Sequence, residues 1–200
     1  ARSILDGISL SSKESLGQQL AVPFFNLHDN GLHPDHVGAA AFDGEGTPTK
    51  RLCLIGNGKL ENLLHSEATA RQFGVQPTGH AGLGAKVSVG PDWFEVSTSQ
   101  DGSSPAAQLD HRNARDPFVL IESLSALHAG VKASQGAFSL PFDGWLVKDG
   151  ERISVEAATI AGDIREVLKG IVHLEPNEVV THQGVSPHVW VDGLAITGEA

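Results

Sequence analysis

The feature that most constrains this chain is its punctuation. Twenty-three glycines and ten prolines are spread through 200 residues, and the apolar runs between them are short and rich in Val, Ile and Phe. Such spacing breaks long helices, whereas short β-branched and aromatic runs suit strands joined by turns. Residues 21–27 read as a strand ended by His28-Asp29-Asn30-Gly31, and 52–55 and 60–64 as a hairpin around Gly56-Asn57-Gly58-Lys59. Residues 145–147 and 153–155 form a second hairpin, around Lys148-Asp149-Gly150-Glu151. Gly, Asn and Asp accept the positive φ that tight hairpin turns require. Residues 86–89, 93–98 and 118–121 are further strands, and a last strand or hairpin is expected around Asp192-Gly193.

Two helices carry their own start and stop signals. Ser66 can cap Glu67–Phe73, with Gly74 behind it, and Asp163 can cap Ile164–Lys169, with Gly170 behind it. Ile164, Val167 and Leu168 give the second an apolar face. A third short helix is expected over 106–114, after the loop 101–105. The fold class is therefore α+β: mostly antiparallel β with two or three short helices.

Charge and residue types exclude several functions. Fourteen Lys and Arg against 24 Asp and Glu leave a net charge of −10, so no nucleic-acid partner is expected, since phosphate binding needs a basic face. No run approaches the roughly 18 apolar residues of a spanning helix, and no signal peptide opens the chain, so no membrane partner is expected. Methionine is absent, so the chain is expected to begin inside a longer protein. The single cysteine, Cys53, lies in an apolar run and reads as a small buried hydrophobe.

Ten histidines invite a search for metal ligands. A zinc peptidase needs two His one helical turn apart with a Glu between them, and no His here is followed by Glu. Glu61 and His65 have the right distal spacing, but Leu60 stands where the first His belongs. His28, His33 and His36 cluster around Gly31 and Pro34 and read as surface histidines in a turn. Gly79-His80-Ala81-Gly82-Leu83-Gly84 precedes a strand rather than opening a helix, so a phosphate cradle is not expected there. From the residues alone, no catalytic residue and no metal ligand is assigned.

Eight segments, in order, resemble one family. They are Glu14-Ser15-Leu16-Gly17-Gln18-Gln19, the run 41–49 (AFDGEGTPT), Ile55-Gly56-Asn57-Gly58-Lys59-Leu60 and Ala68-Thr69-Ala70-Arg71-Gln72-Phe73-Gly74. Then come Pro77-Thr78-Gly79-His80-Ala81-Gly82, the run 127–139 (LHAGVKASQGAFS), 144–151 (GWLVKDGE) and Thr159-Ile160-Ala161-Gly162-Asp163-Ile164. Together they make the chain similar to the C-terminal domain of the PmbA/TldD family, once called modulators of DNA gyrase. The resemblance implies one domain over 1–200, an antiparallel, barrel-like sheet with short helices, and places the family's N-terminal domain outside this chain. It implies a cytoplasmic peptidase built from two kinds of subunit, acting on unfolded peptides. The TldD kind carries a His-Glu-x-x-x-His zinc motif; the PmbA kind, also called TldE, does not.

This sequence resembles the PmbA side, because the motif is missing and Gly184-Val185-Ser186-Pro187 stands where the family's C-terminal cysteine would be. The expectation is a non-catalytic subunit with a TldD-like partner or a second copy of itself. It would hold no cofactor of its own, zinc residing in the partner subunit. Alternatives are an active metallopeptidase whose zinc ligands lie upstream, and a homodimeric binding protein without proteolytic role. The resemblance points to Thr78, Gly79, His80, Ala81, Gly82, His128 and Gly130 as substrate-binding. The Thr78-to-Gly82 segment is expected to face a cavity and to matter for processing rather than folding, its glycines admitting a peptide strand.

Overall fold

The computed structural model describes residues 1–98, 110–112, 114 and 117–199. The chain divides into two compact units, 1–103 with 176–188 and 104–175 with 189–200.

The first unit opens with α1 (Arg2–Leu5) and a 3₁₀ turn, then β1 (Phe25–Asn30), β2 (Arg51–Gly56) and β3 (Lys59–Leu60). After α2 (Glu67–Phe73) come β4 (Ala81–Gly82), β5 (Ser88–Val89) and β6 (Phe94–Thr98). β1 lies between β2 and β6, antiparallel to both. β2 and β3 form a hairpin at the expected turn, through Asn57 and Gly58, both at positive φ, but its second arm ends at Leu60 and does not run on to residue 64. α2 has the expected bounds: Ser66 accepts from the Thr69 amide and Gly74 ends the helix at φ 69°.

β1 begins at Phe25, not at residue 21, and runs on through the His28-Asp29-Asn30 expected to end it. Pro23 has no amide to give a ladder, and the Phe25 amide closes a turn on Val22. The break comes at Asn30, whose side chain and carbonyl receive the Leu32 and His33 amides.

The second unit holds β7 (Phe118–Leu124), α3 (Leu127–Gly130), β8 (Val131–Lys132), β9 (Ala137–Lys148), β10 (Glu151–Asp163) and α4 (Ile164–Lys169). β9 and β10 make one long hairpin through Asp149 and Gly150, where 145–147 and 153–155 mark only its tip. Leu140, Phe142, Ala158 and Ile160 form its buried cluster, with Val119, Ile121, Phe138, Val155 and Leu194 packed against it. Leu140, Phe142 and Ile160 each contribute about 1.5–3 kcal/mol by their burial. Asp163 caps α4 through the Arg165 amide, but Ile164 stays 41% exposed, so the apolar face rests on Val167 and Leu168.

β11 (Ile171–Val180) and β12 (Gly184–Val191) extend the first sheet to the order β11-β12-β6-β1-β2-β3, with β12 parallel to β6. β13 (Ala195–Glu199) joins the second sheet, ordered β13-β10-β9-β7. The segments flanking Asp192-Gly193 are therefore not a hairpin; they pair in different sheets. The fold is α+β and mostly antiparallel, but the sheets are not closed into a barrel, so the barrel-like part of the expectation is corrected. α1 and α3 are single turns without capping side chains, which leave little trace in sequence. The loop 101–105 lies outside the described residues, as does most of the expected helix 106–114. No helix among the described residues is long and apolar enough to cross a membrane.

Candidate functional site

In the first unit a cavity of about 370 Å³ opens between segments far apart in sequence: the turn after β1, the run 36–49, the β4–β5 ribbon and the approach to β6. Alternation along β1 places Asp29 on the same face as Phe25 and Leu27, and Asp29 is completely buried. The register sets Asp29 opposite Phe94, which brings Asp92 alongside. The Asp92 amide donates to Asp29 Oδ2 at 3.0 Å.

Gly79 makes the turn that aims His80 inward. Its φ is +81°, and a Cβ there would stand 2.5 Å from the Pro48 carbonyl oxygen. His80 is 3% exposed, with Nδ1 at 2.8 Å from Thr78 Oγ1 and Nε2 at 3.3 Å from Asp29 Oδ1. The Thr78 hydroxyl in turn accepts from the His65 amide at 2.8 Å. Asp43 ties the two motif segments together: Oδ1 accepts from the Glu45 and Thr47 amides, and Oδ2 accepts from the Ala81 amide at 2.9 Å. The Gly44 amide donates back to the Ala81 carbonyl.

Asp29, His80 and Asp92 thus converge, one donor atom from each lying within 4.8 Å of the others. Asp29 Oδ1 and His80 Nε2 are buried without a well-formed hydrogen bond. Asp92 is an exposed residue at the cavity mouth. Its carboxyl is pushed above the usual carboxylate range, by partial burial first and then by the neighbouring Asp29 charge.

Other histidines have structural surroundings. His65 is buried and meets Phe73 edge-on at 5.0 Å, and its basicity is lowered by burial. His33 and His36 are half-buried and pack on Trp93, with centroids at 4.2 and 5.9 Å. They are wall residues of a folded turn rather than solvated surface histidines. Cys53 is half-buried rather than buried, its thiol pushed up by burial.

Comparison with known proteins identifies the family. The model of the PmbA/TldA metallopeptidase C-terminal domain matches residues 1–198. The chain belongs to the PmbA/TldD family. It is 26% identical to the metalloprotease PmbA of Escherichia coli O157:H7 over 173 residues, 86% of this chain and 35% of that protein. It is 25% identical over 158 residues to a metalloprotease TldD homologue of Buchnera aphidicola, 78% of this chain and 32% of that protein. A Thermotoga maritima crystal structure described as a candidate modulator of a DNA gyrase superposes with TM-score 0.83 at 28% identity. It covers 98% of this chain and 44% of its own. TldE from Thermococcus kodakarensis shares the fold, with TM-score 0.74 at 20% identity. The chain spans about a third of the length of these curated relatives.

Of the residues that the PmbA/TldD resemblance marked, His80, Ala81 and Gly82 line the cavity. Thr78 and Gly79 lie buried behind them. His80 was expected to matter little for folding, yet its side chain is completely enclosed. The space beside Gly79 is taken by Pro48 of the same chain, and the space beside Gly82 by Ser88. His128 and Gly130 belong to the second unit, where His128 is exposed in α3 and Gly130 packs against the Ser139 carbonyl. Asp29 and Asp92 were not marked at all. The one usable signal was an acidic residue at an inward position of an alternating strand.

Proposed function

We propose that this chain is the motif-lacking, PmbA-like component of a PmbA/TldD-family metallopeptidase, shaping the space where an unfolded peptide is held while the zinc chemistry is carried by a TldD-like partner. The observation that carries this reading is the content of the helices. Among the described residues, α1–α4 together contain one histidine, His128. A site needing two imidazoles one helical turn apart therefore has no helix to stand on among the described residues. The cytoplasm suits such a protein, and the −10 charge argues against a direct DNA contact.

Within this reading, Ala81 and Gly82 on the short β4–β5 ribbon form part of the wall beside the peptide, the Ala81 amide and carbonyl being held by Asp43 and Gly44. His80 belongs to the same wall, and Thr78 braces it from behind. The test mixes the full-length protein with a TldD-type partner and an unfolded polypeptide. Cleavage is expected only in the mixture, and it is abolished by a chelator. Equal cleavage by the full-length protein alone would refute the reading in favour of an active peptidase with ligands elsewhere. Peptide binding without cleavage in either case would instead favour a homodimeric binding protein.

A further inference from the structure

We propose that Asp29, His80 and Asp92 form a divalent-cation site for a first-row metal such as zinc, separate from any His-Glu-x-x-x-His centre and independent of the subunit role proposed above. The three residues come from β1, the turn before β4 and the approach to β6, so no sequence motif announces them.

The donor set is one imidazole nitrogen and two carboxylates. Imidazole favours zinc and its neighbours over magnesium or calcium. Adjacent donors of a tetrahedral zinc with ligand distances of about 2.1 Å stand roughly 3.4 Å apart, and His80 Nε2 lies 3.3 Å from Asp29 Oδ1. The third donor, from Asp92, falls within the same 4.8 Å limit.

A second observation is independent of that clustering. Buried polar atoms are almost always hydrogen-bonded, yet Asp29 Oδ1 and His80 Nε2, on fully enclosed side chains, are aimed at each other without a well-formed hydrogen bond. Both remaining positions of these groups are committed: Nδ1 faces the Thr78 hydroxyl and Oδ2 takes the Asp92 amide. Outer partners of this kind fix ring orientation and ligand basicity at metal sites. The two carboxylates also repel across a short gap, and a cation between them relieves that repulsion. Three protein donors leave a coordination position for a ligand from the cavity, where water or a peptide carbonyl oxygen would fit.

The test strips the intact protein with EDTA, then titrates it with Zn²⁺ by calorimetry and with Co²⁺ by its visible spectrum. Saturable binding of one ion per chain is expected, with a tetrahedral or five-coordinate cobalt spectrum and a raised Tm. Asp92→Asn sits at the exposed mouth and should fold normally. It should weaken binding by more than about 100-fold, beyond the 10–100-fold that outer-shell changes cost. His80→Gln should do the same, and His182→Ala, at an exposed histidine of the same unit, should leave affinity unchanged. Absence of 1:1 binding by the folded wild type would overturn the proposal, leaving His80 and Asp29 as a buried polar pair. Binding that survives Asp92→Asn and His80→Gln would overturn it too, since the ion would then sit elsewhere.

Discussion

Replacing His80 by alanine tests whether the cavity wall is held from behind by a buried polar pair. The side chain has no solvent exposure and touches Asp29, which has none either. Its hydrogen bond with Thr78, at 2.8 Å, is worth about 1 kcal/mol net. Removing the ring also takes from Asp29 Oδ1 the imidazole nitrogen at 3.3 Å, and a buried acceptor left less compensated costs up to about 1–3 kcal/mol more. The expected loss is therefore about 2–4 kcal/mol. Urea unfolding in EDTA, followed by tryptophan fluorescence, reads it, since Trp93 is buried in the same unit. A double-mutant cycle with Asp29→Asn should show the two losses to be strongly non-additive. A loss below about 0.5 kcal/mol, the range of ordinary surface changes, would refute the argument and return His80 to the role of a dispensable, substrate-facing residue.

Three further outcomes are expected. Gly79→Ala should cost more than about 2 kcal/mol in the same denaturation assay. A Cβ at φ +81° is strained, and it would stand 2.5 Å from the Pro48 carbonyl oxygen, a backbone atom that cannot swing aside. Ser66→Ala should cost about 1 kcal/mol of stability, because it removes the acceptor for the Thr69 amide at the start of α2. Asp163 should titrate at about 2, held down first by the Arg165 side chain and then by the Arg165 amide. A depressed carboxyl favours the folded state above its unfolded pKa of about 3.9, and that contribution fades as pH falls towards 2. Carboxyl NMR should show the low midpoint, and Arg165→Ala should move it back towards 4.

Local chemistry alone determined the parts of the fold that short segments specify. Asn57-Gly58 and Asp149-Gly150 turn hairpins because few other residues tolerate positive φ there, and both turns stand where the sequence places them. Ser66 and Asp163 start their helices because a side-chain acceptor beside free amides is a local event. The family, too, was legible, because ordered short motifs survive where overall identity is low.

Pairing partners were not legible. β12 runs parallel to β6 and β13 joins β10, although the run around Asp192-Gly193 looks like a hairpin; which edge a strand joins depends on surfaces assembled from the whole chain. The same holds for the site. His80 looked exposed in a glycine-rich turn, and Asp29 looked like part of a loop. Only the register between β1 and β6, together with the brace from Asp43, brings Asp29, His80 and Asp92 to one point. Their side chains are 51 and 12 residues apart along the chain. Nothing in a local window carries that distance, because a contact between remote residues exists only once the tertiary packing has enclosed it.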